Sequence, residues 1–395
     1  MAIETFEDDP FHEKVKKNGE NLVIINRRDY SCIWWVSSFT ITKVSIFAIY
    51  AIFFPGIAFL IIMSLQEVQS TATLLPLEFT PLLKRTRWGG ERLGTHLNKS
   101  IGIEADYGES WELSDHPQAP TLIACGEYAD WTLSELIRKQ PEALYGAGNA
   151  YATFPLLIKF IDATDRLSLQ VHPYETRQKN FDATRSGKSE AWVILDAIEG
   201  SRIYAGLKPG IDEVQLRQKL EQGIVEECLH SYPVKSGDCV FIPAGTLHAI
   251  GEGILLAEVQ QTSDITFRLF DWDRLDHSGN PRPLHVEKAL ECINFERGPV
   301  GLLEPRMLSR GEHQIEQLLE SEYFSIRRHQ SRISFPLASL NQAQILIVLE
   351  GAGQLDCGAE TYELLQGKTI LIPAAASECQ IHVDGEITFL EVIPA

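Results

Sequence analysis

The segment Gly237-Asp-Cys-Val-Phe-Ile-Pro243-Ala-Gly245-Thr-Leu-His248 places a histidine just past a tight Pro-Gly turn that follows a short apolar strand. A small β-barrel presents a metal ligand in this way, at the point where one strand hands over to the next. Upstream, Gln170-Val-His172-Pro173 and Lys188-Ser-Glu190 each hold two polar side chains at i and i+2, so each pair points to one face of its strand. A lone buried histidine is usually a hydrogen-bonded core residue. Two imidazoles, a carboxylate and a carboxamide in this order point instead to a shared ion, with Gln170, His172, Glu190 and His248 as its ligands.

From residue 76 onward the chain reads as short apolar or alternating stretches separated by Gly, Pro, Asn and Asp turns, the pattern of sandwiches and barrels. Examples are 156–161, 191–195, 239–242 and 254–259. Helical signals are few. Thr132 with Glu135 three residues later forms a capping box ahead of 133–139, Asp212 caps 213–220, and 285–290 adds a short turn. Gly367-Lys-Thr-Ile-Leu-Ile-Pro373-Ala-Ala375-Ala-Ser-Glu378 repeats the ligand segment position for position, with Glu378 where the histidine stood. The fold class expected is mainly β: two jelly-roll barrels, the first carrying the chemistry and the second, without a metal, serving packing.

The formal charge of −19 excludes nucleic acid or an anionic membrane surface as the main partner, since both demand basic patches. An anionic substrate needs a local cluster of Lys and Arg working against that field. The seven cysteines are scattered without a C-x-x-C pair, so a disulfide framework or thiolate zinc site is not expected, and reduced structural thiols are.

The ligand spacing resembles the cupin pattern, with its H-x-H-like strand, a glutamate some residues on and then G-x5-P-x-G-x2-H; here the first histidine is Gln170. The stretches 167–173, 187–192 and 243–248, with Glu258-Val-Gln-Gln-Thr-Ser-Asp264-Ile-Thr-Phe-Arg268, look like type I mannose-6-phosphate isomerases in their short bacterial form. The likeness begins near Pro81-Leu-Leu-Lys-Arg-Thr-Arg-Trp88-Gly-Gly90, passes through Gly108-Glu-Ser-Trp-Glu-Leu-Ser114 and runs to the C-terminus, about four-fifths of the chain. It implies exchange of mannose 6-phosphate and fructose 6-phosphate through an enediol(ate), with one Zn²⁺ per chain. The donor set alone would also suit iron or manganese.

The resemblance implies functional roles for Asp264, Arg268 and Lys188. Asp264, Thr266 and Arg268 also alternate onto one strand face, which makes Arg268 a candidate to stabilise charge developing on the sugar oxygens. The proton-transferring group stays open among Lys188, Asp264, a metal-bound water and a His248 released from ligation. Ser168 and Lys188 are expected at the phosphate by position in the motif, since no phosphate-cradling glycine loop is present. Trp88 and Trp111 are candidates to stack on the sugar. Two readings from other classes use the same barrel: an iron-dependent dioxygenase, and a sugar-sensing cupin without turnover.

The N-terminus does not belong to this pattern. Residues 44–63 run uncharged for 20 residues, enough to span a bilayer core of about 30 Å, and the cations before them would leave the N-terminus in the cytoplasm. A transmembrane helix there would export a phosphosugar enzyme away from its substrate. Met63, one of three methionines, ends the apolar run shortly before the resemblance begins, so the expected true start is Met63. A cleaved signal peptide fits poorly, because the region before the apolar run is too long. The expected organisation is an extension over 1–75, a metal-binding catalytic cupin domain over 76–300 and a C-terminal cupin domain over 301–395. Localisation is cytoplasmic, with membrane attachment only where 44–63 is translated.

Overall fold

The computed structural model describes residues 74–395, apart from 147, 149–150, 175–186 and 276–278, together with six strands before residue 63. The chain divides into two compact units, Met1–Ala72 and Thr73–Ala395. In the first, Ile3–Thr5, His12–Lys17, Glu20–Arg27 and Tyr30–Val36 form an antiparallel meander in chain order. Ile49–Phe54 and Ile57–Ile62 pair as a separate antiparallel hairpin. Both strands lie in the apolar run 44–63, of which a membrane span is one reading. The run is rich in Ile and Phe, which favour extended backbone, and Pro55-Gly56 divides it at the point where a helix interior would lose a hydrogen bond. Among the described residues no helix is long and apolar enough to cross a membrane.

The second unit holds a barrel built from two antiparallel sheets. One has the order Cys239–Ile242, Glu190–Ala197, Ile254–Gln261, Leu156–Ala163, Tyr107–Leu113, Leu82–Gly90; the other runs Leu229–Pro233, Arg202–Leu207, His248–Ile250, Leu169–Val171, Phe267–Phe270. Between them pack Ile161, Trp192, Ile194, Ile203, Ala205, Val240, Ile242, Ile250 and Leu256. The six-stranded sheet is buried on its outer face as well. Leu156, Ile158, Phe160, Ala191, Val193, Ala257 and Val259 join a core shared with Ile345, Ile347, Leu390 and Val392 of the C-terminal half. Burial on both faces erases the polar-out alternation of a solvated sheet, so Leu156–Ala163 and Ile254–Gln261 are buried along their whole length.

Helices Glu213–Glu221 and Val286–Cys292 cover the outside of the five-stranded sheet through Leu216, Ala289 and Leu290. Thr132 and Asp212 both cap as expected, each accepting from the backbone N–H three residues on while that residue's side chain returns the bond.

The C-terminal half is organised around two long strands, Gln344–Cys357 and Cys379–Pro394, which pair with each other and bend through the sheet. Thr369–Ile372 pairs with the first of them and, on its other side, with Leu77–Thr80. The segment that opens the second unit is thus a strand of the C-terminal sheet rather than of the first barrel. In the repeated segment, Ala374 and Ala375 donate to the carbonyls of Leu144 and Ala143, fastening the turn to the helix Pro141–Tyr145, and Glu378 is exposed.

Candidate metal centre and active site

Strand periodicity decides what points inward. On Glu190–Ala197, Glu190, Trp192 and Ile194 face between the sheets; on Ile254–Gln261, Ile254, Leu256 and Glu258 do; on Leu156–Ala163, Lys159 and Ile161 do. On the opposite sheet Gln170 is the register partner of both His248 and Arg268, which brings the first ligand strand, the ligand histidine and the arginine side by side. Gly245 turns the chain ahead of His248 with a positive φ of 83°, and a Cβ there would meet the Tyr174 ring at 2.8 Å, so only glycine fits.

The three ligand atoms of His172, Glu190 and His248 lie within 4.8 Å of one another, and all three residues are buried. His172 Nδ1 is 2.8 Å from the carbonyl of Ile265, and His248 Nδ1 is 2.8 Å from that of Thr246. A carbonyl can only accept, so both rings are protonated at Nδ1 and turn a bare Nε2 inward. Burial pushes both imidazoles down, His248 to about 3, so both are neutral near pH 7. Burial opposes charge on Glu190, but the Lys188 ammonium and then His172 outweigh it and hold the carboxyl well below the usual range.

Bare lone pairs therefore converge. Glu190 Oε2 is 3.4 Å from His172 Nε2, and Oε1 is 3.3 Å from His248 Nε2 with no hydrogen-bond donor of its own. Lys188 supplies a donor to Glu190 Oε2 and His172 Nε2, but Glu190 Oε1 faces His248 Nε2 with no donor of its own, and the donor set fits a divalent metal. Gln170 Nε2 stands 3.4 Å from His248 Nε2, while its Oε1 accepts from Ser168 Oγ at 3.2 Å; turning the amide about its last bond would present the oxygen to the same point. Lys188 donates to Glu190 Oε2 at 2.6 Å and reaches His172 Nε2 at 3.0 Å, so its ammonium lies against the ligands.

A cavity of about 830 Å³ opens beside this cluster. Gln170, Glu190, Lys188, Ser168, Asp264, Arg268 and Trp88 all line it, as do Trp192 and Thr266. Asp264 is exposed on its wall. Arg268 is half-buried and donates from Nη1 to the Pro283 carbonyl at 3.0 Å, not to Asp264. Trp111, expected to stack on the sugar, is placed elsewhere: it is fully buried, does not line the cavity, and lies under Lys84 and Lys159, whose ammoniums are 3.1 and 4.8 Å from its ring centre.

Residues outside the expected set also meet here. Lys159 and Glu258 are register partners on adjacent strands, both buried, with Lys159 Nζ 3.2 Å from Glu258 Oε2 and 3.8 Å from Glu109 Oε2. Trp192 Nε1 donates to Glu258 Oε1 at 3.1 Å. Burial lifts the Glu258 carboxyl, Lys159 pulls it down and Glu190 pushes it up again, leaving it above the usual carboxylate range. Burial lowers Lys159, but Glu258 and Glu109 more than offset this and keep it charged. The available signal was a single charge in each of two otherwise apolar runs, which a buried strand tolerates only where the charge is paired or used.

The same architecture recurs in known proteins. Residues 77–190 match the family model described as phosphomannose isomerase type I, catalytic domain, and residues 314–394 match the mannose-6-phosphate isomerase cupin domain. The mannose-6-phosphate isomerase of Streptococcus mutans is 34% identical over 312 residues, covering 79% of this chain and 96% of its own length. The corresponding Bacillus subtilis enzyme is 34% identical over 315 residues, 78% of this chain and 96% of that protein. A crystal structure of mannose 6-phosphate isomerase from Bacillus subtilis superposes with a TM-score of 0.74 at 32% identity, over 81% of this chain and 99% of that one. A buried His-Glu-His cluster beside the barrel cavity, with matches that reach from Leu77 to the C-terminal strand, shows that the chain belongs to the type I mannose-6-phosphate isomerase family.

Proposed function

We propose that this chain interconverts mannose 6-phosphate and fructose 6-phosphate, with one zinc ion held by Gln170, His172, Glu190 and His248. The observation that carries the reading is the convergence of two unprotonated imidazole Nε2 atoms and a carboxylate within 4.8 Å beside a cavity that also holds a buried carboxyl of raised affinity for protons. Bound there, zinc would supply a Lewis acid next to the sugar oxygens.

The chain's own residues account for the rest of the chemistry. Aldose–ketose exchange moves a proton between C1 and C2 and passes through an enediol(ate). Glu258 suits that transfer: its raised pKa lets it take a carbon-bound proton and return it to the neighbouring carbon, Trp192 holds its Oε1, and its Oε2 has no hydrogen-bond partner, with the Lys159 ammonium 3.2 Å away. Lys188 is committed to Glu190 and His172, which makes it a group that orients the ligand carboxylate rather than one free to cycle a proton. Arg268, held beside Gln170 by strand register, offers positive charge where the oxyanion develops. Ser168 Oγ lies beside the Gln170 amide and can accept from its Nε2 once the oxygen is turned toward the ligand point.

The test is conversion of mannose 6-phosphate to fructose 6-phosphate by the full chain, with and without a chelator and with added zinc. Turnover that the chelator removes and zinc restores is the expected result. A folded, zinc-loaded protein with no turnover on this substrate would overturn the reading.

A further inference from the structure

The inference rests on the proposed function and concerns where the phosphate goes. Six cationic side chains line the cavity: Arg85, Arg87, Lys159, Lys188, Arg268 and Arg282. Four are already neutralised. Arg85 pairs with Asp106 at 2.7 Å, Lys159 with Glu258 at 3.2 Å, Lys188 with Glu190 at 2.6 Å, and Arg282 Nε with Asp271 Oδ2 at 2.7 Å. Among the described residues Arg87 and Arg268 have no carboxylate partner. Each donates only to a backbone carbonyl, of Leu275 and Pro283 respectively, and each has a buried Nε with no acceptor.

Guanidinium donors left without a carboxylate among the described residues, inside a protein of charge −19, call for an anion from outside that set. Their positions assign the two different work. Arg268 is pinned beside Gln170 by strand register and so stands at the reacting end. Arg87 is on the edge strand Leu82–Gly90, beyond the register shift that follows Arg85, where the strand leaves regular pairing and curls over the cavity. Exposure grades in the same direction: Lys188 and Glu190 are buried, Arg87 is half-buried and Arg85 is exposed, so the arginine end is the mouth. A hexose phosphate with C1 and C2 at the buried ligands has its C6 phosphate toward that mouth.

We infer that Arg87 is the phosphate-binding residue of this site, taking the substrate's terminal phosphate dianion through the guanidinium donors that the fold leaves unmatched. The planar fork suits two phosphate oxygens at once, which an ammonium cannot match. Because the phosphate is remote from the reacting carbons, its contact is made equally in the ground and transition states. Loss of Arg87 is therefore felt in KM rather than in kcat.

Steady-state kinetics of Arg87→Gln, Arg87→Lys and Arg85→Gln on the zinc-loaded protein test this, together with calorimetric titration of inorganic phosphate. Arg87→Gln is expected to raise KM for mannose 6-phosphate on the order of 10–100-fold with kcat held within about threefold. Phosphate affinity should weaken in step, Arg87→Lys should fall between, and Arg85→Gln, whose partner is Asp106, should stay near wild type. Unchanged KM and phosphate affinity in a folded Arg87→Gln protein overturn the inference, and so does a loss confined to kcat. If the wild-type chain does not turn over mannose 6-phosphate, the proposed reaction fails, but the phosphate titration still decides: weaker binding in Arg87→Gln upholds the site and equal binding removes it.

Discussion

Lys159 and Glu258 stand directly opposite each other on neighbouring antiparallel strands, and their charges meet at 3.2 Å inside a sheet buried on both faces. Such a pair contributes little net stability as a unit, but losing one partner strands the other charge, at about 3–5 kcal/mol. Lys159→Met is thus expected to lower stability by about 3 kcal/mol, read as a shift in the urea midpoint. Glu258→Gln removes the charge while keeping shape, so it should spare KM and metal content and lower kcat by about 10²-fold or more. A Glu258→Gln enzyme with wild-type kcat would remove this residue from the proton transfer.

These two residues also mark the limit of what the sequence discloses. The convergence of His172, Glu190 and His248 is legible because Gly237–His248 and Gln170–His172 are local patterns in which turn and strand follow from neighbouring residues. The helix caps at Thr132 and Asp212 were legible for the same reason. Lys159 and Glu258 each lie among apolar neighbours, and a strand covered on both faces shows no alternation to say which way a residue points. Only the pairing of the two strands makes them partners. Trp111 belongs to an attractive motif, yet its strand turns it into the core. Over 44–63 hydropathy measures only how apolar the stretch is, and a divided run of Ile and Phe meets that measure as paired strands as readily as it would as a span.

Removing a ligand should separate from removing the arginine. His172→Ala, Glu190→Ala and His248→Ala each delete one of the converging atoms and are expected to abolish metal retention, measured as zinc per chain after gel filtration. Arg268→Ala is expected to keep the metal and lose about 10²–10³ in kcat, the usual cost of one charge-stabilising donor. An Arg268→Ala enzyme with unchanged kcat would sink the electrostatic role.

The C-terminal half carries an acid-sensitive contact. His313 Nε2 is 3.0 Å from His329 Nδ1, and its ring lies 3.7 Å from that of Phe335. Burial first, and then His329, push His313 down to about 4, against about 6.5 in an unfolded chain. Between those values the unfolded state binds more protons. The contribution is therefore complete above about pH 6.5 and is lost as pH falls toward 4. After discounting for solvent screening the loss is about 1 kcal/mol. Urea midpoints at pH 7 and pH 4.5 should differ less in His313→Gln than in wild type; an identical pH slope in both would rule the contact out as the cause.

The division between Ala72 and Thr73 leads to the last expectation. Every residue that lines the cavity, together with His172, Glu190 and His248, lies in Thr73–Ala395, and the family likeness begins at residue 77. The strand Leu77–Thr80 must be kept, because it pairs with Thr369–Ile372, and Leu74 and Leu77 are buried in the shared core. A protein that begins at Met63 keeps all of these. It should match the full chain in kcat, KM and zinc content, and its thermal midpoint should be the same within error. A truncated protein that loses zinc or activity while staying folded would show that residues 1–62 support the site. Truncation past Leu77 should be different: it leaves Thr369–Ile372 as an unpaired edge and exposes apolar surface, with a lower midpoint and aggregation on heating.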